Sequence, residues 1–181
     1  VYEEPHHNIF HITKQKAIDM AEGEWILQLD ADERVTVELA KEIREIISMT
    51  DEEIKNRRNK KQKKYELFIR HQRLIEERDG AIGRKTGEVV AFFIPRVNFF
   101  LGKPLIHAGL YPDGVIRLVK RGKAHFPQKS VHEQIEIDGE VAWLFNDLEH
   151  YDSMTLSRYL ERANRYTSLT AKEFEQKKLS K

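Results

Sequence analysis

Asp30 and Asp32 stand one residue apart at the end of the largely apolar run Trp25–Leu29, in the stretch EWILQLDADERVT (24–36). Two carboxylates at this spacing can point the same way and hold one hard cation. Mg²⁺ or Mn²⁺ prefers such oxygen ligands and commonly shares them with phosphates. A buried strand would deliver the pair at its C-terminal edge, where open α/β sheets collect their ligands. The competing reading is an acidic turn that caps the next helix. The hydrophobic lead-in and the abrupt change of polarity favour a binding site.

A second chemistry begins in a similar way. Phosphohydrolases of the haloacid-dehalogenase type follow a buried strand with Asp-X-Asp-X-Thr/Val. Here Arg34 stands at the last position of that pattern and Val35 falls one residue late. No downstream pair of a lysine and an acid completes it.

Two further groups have suitable chemistry. Glu133, in SVHEQ, can act as a general base if it reaches an acceptor hydroxyl; the plain alternative is a surface glutamate paired with a lysine. His150, in LEHYD ahead of the last predicted helix, can ligate a metal as a neutral imidazole or bind phosphate as a cation. His6, His7 and His11 lack the spacing of a zinc site. Seven of the ten residues Lys55–Lys64 are basic. Such a run neutralises phosphates of lipid headgroups or nucleic acid, or is simply a solvated helical face.

These groups need elements to position them. Ala17, Ile18, Met20 and Ala21 recur at helical spacing from Thr13 and stop at Gly23, which predicts a helix. EWILQL is a short buried strand. Val37–Met49 carries Leu39, Ile43, Ile46 and Ile47 on one helical face, with its start at Thr36. Residues 50–88 read as a charged helical insertion, protruding or mobile, with Tyr65, Leu67, Phe68, Ile69, Leu74 and Ile75 as its apolar positions. VVAFFIPRVNFFLG (89–102) is a strand in which Pro95 predicts an edge or a bend. HAGLYPDG (107–114) is a loop, and VIRLVKRG (115–122) is a strand closing in a turn. Asp138-Gly139 predicts a hairpin between two short strands. From Thr155, Leu156, Tyr159, Leu160, Ala163, Tyr166 and Leu169 describe an amphipathic C-terminal helix. Trp25 and Trp143 belong in or beside the core, and Tyr151, Tyr159 and Tyr166 read as packing residues. Helix, strand and helix, then a strand-rich half, then a helix, amount to an α/β fold with a mixed sheet flanked by helices.

Composition narrows the classes. The 181 residues carry 31 Lys and Arg against 30 Asp and Glu, so no global field calls for nucleic acid as a partner. The absence of cysteine excludes disulfide and thiolate chemistry and fits a reducing compartment. No apolar run approaches the roughly 20 residues of a membrane span, and no signal peptide is in view. The chain begins at Val1 and enters directly into functional-looking sequence, as a piece of a longer protein would.

The stretch KQKAIDMAEGEWILQLDADE (14–33) resembles the lead-in to the Asp-X-Asp motif of family 2 glycosyltransferases. The run FFIPRVNFFLGKPLIHAGLYPDGVIRLVKRGKAHFPQKSVHEQIEIDGEVAWLFNDLEHY (92–151) is similar to their lipopolysaccharide-core glucosyltransferase-like branch. The likeness covers nearly the whole chain except the basic insertion. It implies a GT-A fold, with residues 1–181 as one catalytic domain incomplete at its N-terminus, because the strands that read the nucleotide base do not precede Val1. Such a piece is not expected to turn over by itself. The implied activity is inverting, metal-dependent transfer of a sugar from a nucleotide-sugar donor to a glycan or lipid-linked acceptor in cell-envelope synthesis. On this likeness Asp30, Asp32 and His150 would hold Mn²⁺ or Mg²⁺, and the two aspartates the donor diphosphate. The family's glycine-containing loop over the donor matches 107–114 and places His107 and Gly109 there. The base would be Glu133, although VHE replaces the family's usual Glu-Asp, with Asp113 as the alternate. Arg96, Lys103, Arg117 and Lys120 are secondary candidates for phosphate or acceptor contacts, and His6, His7 and His11 would lie on a loop near the donor pocket. A cytoplasmic protein peripheral to the inner face of the membrane, touching it through Lys55–Lys64, is the implied setting. From another class, the alternative is a non-catalytic GT-A-like remnant that binds glycan or membrane.

Overall fold

The computed structural model describes residues 10–57, 62–127 and 135–179. Glu133, His6, His7 and the middle of the basic run lie outside the described residues.

Local signals account for most of the helix starts. Helix α1 (Phe10–Asp19) begins three residues before the predicted start, and strand β1 (Trp25–Leu27) follows it. After strand β2 (Glu33–Val35), the Thr36 hydroxyl accepts the Leu39 N–H at 3.1 Å and opens α2 (Val37–Ile46), whose Leu39 and Ile46 are buried. Thr50 and Glu53 form a reciprocal capping box at the start of α3 (Asp51–Asn56). Helix α4 (Gln62–Asp79) does not protrude. Its Phe68 is fully buried and stacks on Trp143 with ring centroids 4.6 Å apart, while Leu67 and Leu74 face solvent.

The remaining strands are β3 (Val89–Phe100), β4 (Lys103–Leu105), β5 (Asp113–Lys120), β6 (Ala124–His125), β7 (Glu136–Ile137), β8 (Glu140–Trp143) and β9 (Leu148–Ser153). Helix α5 (Leu156–Leu179) closes the described chain. The fold is α/β with a curled mixed sheet of seven strands flanked by helices. The order is β1-β5-β3-β9-β2, with β4 and β8 also paired to β3. Strand β3 is therefore the hub, antiparallel to β5 on one side and parallel to β8 and then β9 on the other. Phe92 and Phe93 enter different core clusters, one on each face. That is why β3 reads as an unbroken apolar run rather than an alternation.

Two expectations fail on this sheet. Pro95 does not mark an edge; it is buried within the hub. It lies where β3 exchanges one parallel partner for the next, between the Phe93–Trp143 and Arg96–Leu148 pairs, so the missing N–H falls in a gap of the ladder. Nor do the strands flanking Asp138-Gly139 form a hairpin. β7 pairs with β6 in a separate small sheet, whereas β8 runs parallel to β3. Gly139 instead serves close approach, since a Cβ there would sit 2.5 Å from the Val90 side chain.

The crossover from β8 to β9 is held by a buried acid. Glu42 of α2 accepts the backbone N–H groups of Phe145 at 2.9 Å and Asn146 at 2.8 Å and pairs with Arg57. This fixes the segment that leads into His150. Among the described residues no helix is long and apolar enough to cross a membrane.

Candidate metal centre

The acidic turn crosses the sheet. β1 lies at one end of the strand order and β2 at the other, so residues 28–32 pass β5, β3 and β9 in between. The side chains of Asp30, Glu33 and Asp32 meet one residue from each: Arg117 of β5, Arg96 of β3 and His150 of β9. The turn closes on itself, with the Glu33 N–H on the Asp30 carbonyl at 3.0 Å and the Asp30 N–H on the Glu33 carboxylate at 3.0 Å.

The three acids have different fates. The Glu33 side chain has no exposed surface and takes Arg117 at 2.7 Å and Arg96 at 3.1 Å. Asp30 takes Arg117 at 2.6 Å and Lys14 at 2.7 Å, with Gln28 donating at 3.2 Å. Burial pushes the Asp30 carboxyl up, but the charge of Arg117 and the contacts with Lys14 and Gln28 outweigh it, and its pKa falls below the ordinary value. Asp113 belongs to the same network. Burial opposes its ionisation, yet Arg96, bonded through Nε at 2.9 Å and Nη2 at 2.7 Å, and Asn98, donating at 2.8 Å, hold its carboxyl below the usual range.

Asp32 turns elsewhere. It forms, with His150 and Asp152, a group whose potential ligand atoms all lie within 4.8 Å of one another. His150 Nε2 stands 3.5 Å from the Asp32 carboxylate, and its Nδ1 lies 2.6 Å from the Asn98 side-chain oxygen. Because the Asn98 amide nitrogen donates to Asp113, its oxygen is the acceptor. The proton then sits on Nδ1, and the Nε2 lone pair faces the two carboxylates. Burial first, then the nearby positive charge of Arg96, lower the His150 pKa against the pull of Asp32 and Glu33, which keeps the ring in its neutral, ligating form. Two carboxylates and an imidazole suit Mn²⁺ well and Mg²⁺ in its carboxylate contacts.

The structure thus brings together Asp32 and His150, which lies on β9, and adds Asp152, a residue the sequence reading passed over. The signal was present: His150 and Asp152 are two apart on one strand and project from the same face. Asp30, by contrast, is engaged by cations. His107 and Gly109 are exposed on the loop before β5 and do not line the cleft around Asp32. Lys103 is exposed on β4, and Lys120 pairs with Glu88 at 2.9 Å. His11 is not on a loop; it is buried in α1 and stacks on Phe126 with ring centroids 4.8 Å apart. Both ends of the basic run are tied to the fold, Lys55 to the Gly87 carbonyl at 2.8 Å and Lys64 to that of Phe145.

The cleft measures about 890 Å³. Lys14, Asp30, Asp32, Arg96, His150 and Asp152 line one side, and α5 lends Arg158, Glu161, Arg162, Arg165 and Tyr166. Arginines at 158, 162 and 165 share one helical stripe, and guanidinium forks of this kind match phosphate or carboxylate oxygens. No protein-family model matches the chain, and no solved structure matches it.

Proposed function

We propose that the protein is an inverting, divalent-metal-dependent glycosyltransferase of GT-A-like fold, similar to family 2. It would move a sugar from a nucleotide-sugar donor to a glycan or lipid-linked acceptor, in the cytoplasm and at the inner face of the membrane. The observation that carries this reading is the cleft, where Asp32, His150 and Asp152 stand opposite Arg158, Arg162 and Arg165. Oxygen and imidazole ligands beside a guanidinium stripe suit a diphosphate bound together with a divalent ion. Such an ion would supply stabilisation of the charge on a departing diphosphate.

The chain's own residues do the rest. Asn98 holds the His150 ring in one tautomer, and Arg96 adds positive potential at the cleft wall. Asp32, with His150 and Asp152, would hold the metal, and Asp30 supports the turn. In this reading Glu133 takes the proton from the acceptor hydroxyl. Asp113, the other candidate base, has its carboxylate committed to Arg96 and Asn98 and is a weaker proton acceptor for it.

The test is nucleotide release by the full open reading frame from a panel of nucleotide sugars with Mn²⁺, with and without acceptor glycans. Release is expected to stop with chelator and in Asp32→Ala, and transfer to fall by about 10²-fold or more in Glu133→Gln. Phosphate release from simple phosphomonoesters would mark a phosphohydrolase instead. A folded protein with neither donor turnover nor Mn²⁺-dependent nucleotide binding would sink the reading in favour of a GT-A-like binding remnant.

A further inference from the structure

On the metal reading above, which it deepens, we propose that Asp113 is a positioning residue for the metal centre: through the Asn98 amide it decides which nitrogen of His150 is offered to the cation. Sheet register puts the three groups in line. Asn98 lies on β3, paired with His150 of β9 and two residues beyond Arg96, whose partner on β5 is Asp113. Arg96 and Asn98, two apart on one strand, project from the same face, and Arg96 lines the cleft there with Asp32 and His150. Asp113 touches none of the three potential ligands in the contacts described above; it reaches them only through Asn98.

Each link follows from what its atoms can donate or accept. Asp113 Oδ2 accepts Arg96 Nε at 2.9 Å, Arg96 Nη2 at 2.7 Å and Asn98 Nδ2 at 2.8 Å. Paired with a guanidinium that keeps its proton, the carboxylate stays ionised and can only accept. The Asn98 amide therefore has one sense. Turned over, it would set a carbonyl oxygen against a carboxylate oxygen and forfeit a charge-assisted hydrogen bond. With the amide nitrogen committed to Asp113, its oxygen faces His150 Nδ1 at 2.6 Å, and a ring nitrogen that meets an acceptor must carry the proton. The lone pair is left on Nε2, the nitrogen 3.5 Å from Asp32. An uncharged amide in place of Asp113 could donate or accept, so both senses of Asn98 would open. In the turned sense Nε2 carries the proton and presents an N–H, which repels a cation. The ionic network thus reaches the metal centre through one side chain, and Asp113 serves the site as the orienting charge behind a ligand rather than as a ligand or a base.

The experiment reads the tautomer directly, by ¹⁵N NMR of the imidazole rings in the metal-free whole chain at about pH 7.5, above the ordinary histidine range. His150 is assigned by the loss of its signals in His150→Gln. The wild type is expected to carry the proton on Nδ1. Asp113→Asn keeps the shape and removes the charge; it should move the His150 proton toward Nε2 and weaken Mn²⁺ binding, followed by calorimetry, about tenfold. Exchanging the two groups, Asn98→Asp with Asp113→Asn, returns an acceptor to face Nδ1 and should restore the tautomer and most of the affinity. A merely structural role for Asp113 would lower stability in both variants, checked by circular dichroism and urea unfolding, and leave the tautomer where it was. A wild-type proton on Nε2 would overturn the proposal without any variant. An unmoved Nδ1 proton in Asp113→Asn, or no restoration in the exchanged pair, would overturn it while the metal reading stands on Mn²⁺ binding by the wild type. No Mn²⁺ bound by the wild type would overturn the metal reading and the positioning role together.

Discussion

Asp30 and Asp32 share a turn and a residue type, yet their surroundings are opposite. Asp30 faces Arg117 and Lys14, and with Glu33, Asp113 and Arg96 it belongs to a half-buried ionic network whose charges largely cancel. Asp32 faces a neutral imidazole and the Asp152 carboxylate, and it is Asp152 that the Arg162 guanidinium meets. The first region spends its charge on holding β2, β3, β5 and the turn together. The second leaves charge over for a ligand. An acidic motif is therefore not one functional unit, and adjacent carboxylates divide between scaffold and site according to which cations reach them.

The comparison breaks most severely if Arg117 is not the keystone of the network. Arg117→Met leaves the buried Glu33 side chain with Arg96 alone and Asp30 with Lys14 alone, and should cost about 3 kcal/mol in urea unfolding. Adding Glu33→Gln should restore part of that loss, because the stranded charge is gone. A loss below about 1 kcal/mol for the single variant would show that the network is ornamental.

The pair Asp30→Asn and Asp32→Asn sharpens the contrast at the next level. Asp30→Asn should destabilise by about 1–3 kcal/mol and still bind Mn²⁺, since hydrogen bonds between charged groups are lost. Asp32→Asn should change stability by no more than about 0.5 kcal/mol while Mn²⁺ binding disappears. The reverse pattern would exchange the roles of the two residues.

The smallest effect is on pH. His71 accepts the Gly114 N–H at 3.1 Å, beside Asp113 and at the head of β5. Burial, aided by Arg78 and opposed by Asp113, lowers its pKa, so the folded chain favours the neutral ring. The neutral ring's contribution is whole above the unfolded-state pKa of about 6.5 and fades as pH falls through the folded value. Wild-type stability should therefore decline gently below about pH 6.5, and His71→Gln should flatten that limb of the curve.

Much of this was legible in the chain. Thr36 and Thr50 announce their helices because a cap needs only a hydroxyl and an N–H three residues on. The mixed α/β class follows from alternating helical and strand periods, and the Asp32–His150 pairing was among the groupings the family resemblance implied. Asp152 was missed although its spacing from His150 carried the signal. Pro95 and Asp138-Gly139 misled because their usual meanings are local. Their actual settings, a change of partner strand and a close approach to Val90, are made by distant residues.

What the sequence determined by itself, then, is the helices α2 and α5, the strands β1, β3 and β5, and the delivery of an acidic turn from the end of β1, since these rest on contacts a few residues long. Only the tertiary structure decided which acid is neutralised and which is left for a ligand. Arg96 and Arg117 lie 63 and 84 residues from Glu33, and Arg117 lies 87 from Asp30. Charge pairing at contact distance depends on strand order, and strand order is a property of the assembled sheet rather than of any stretch of chain.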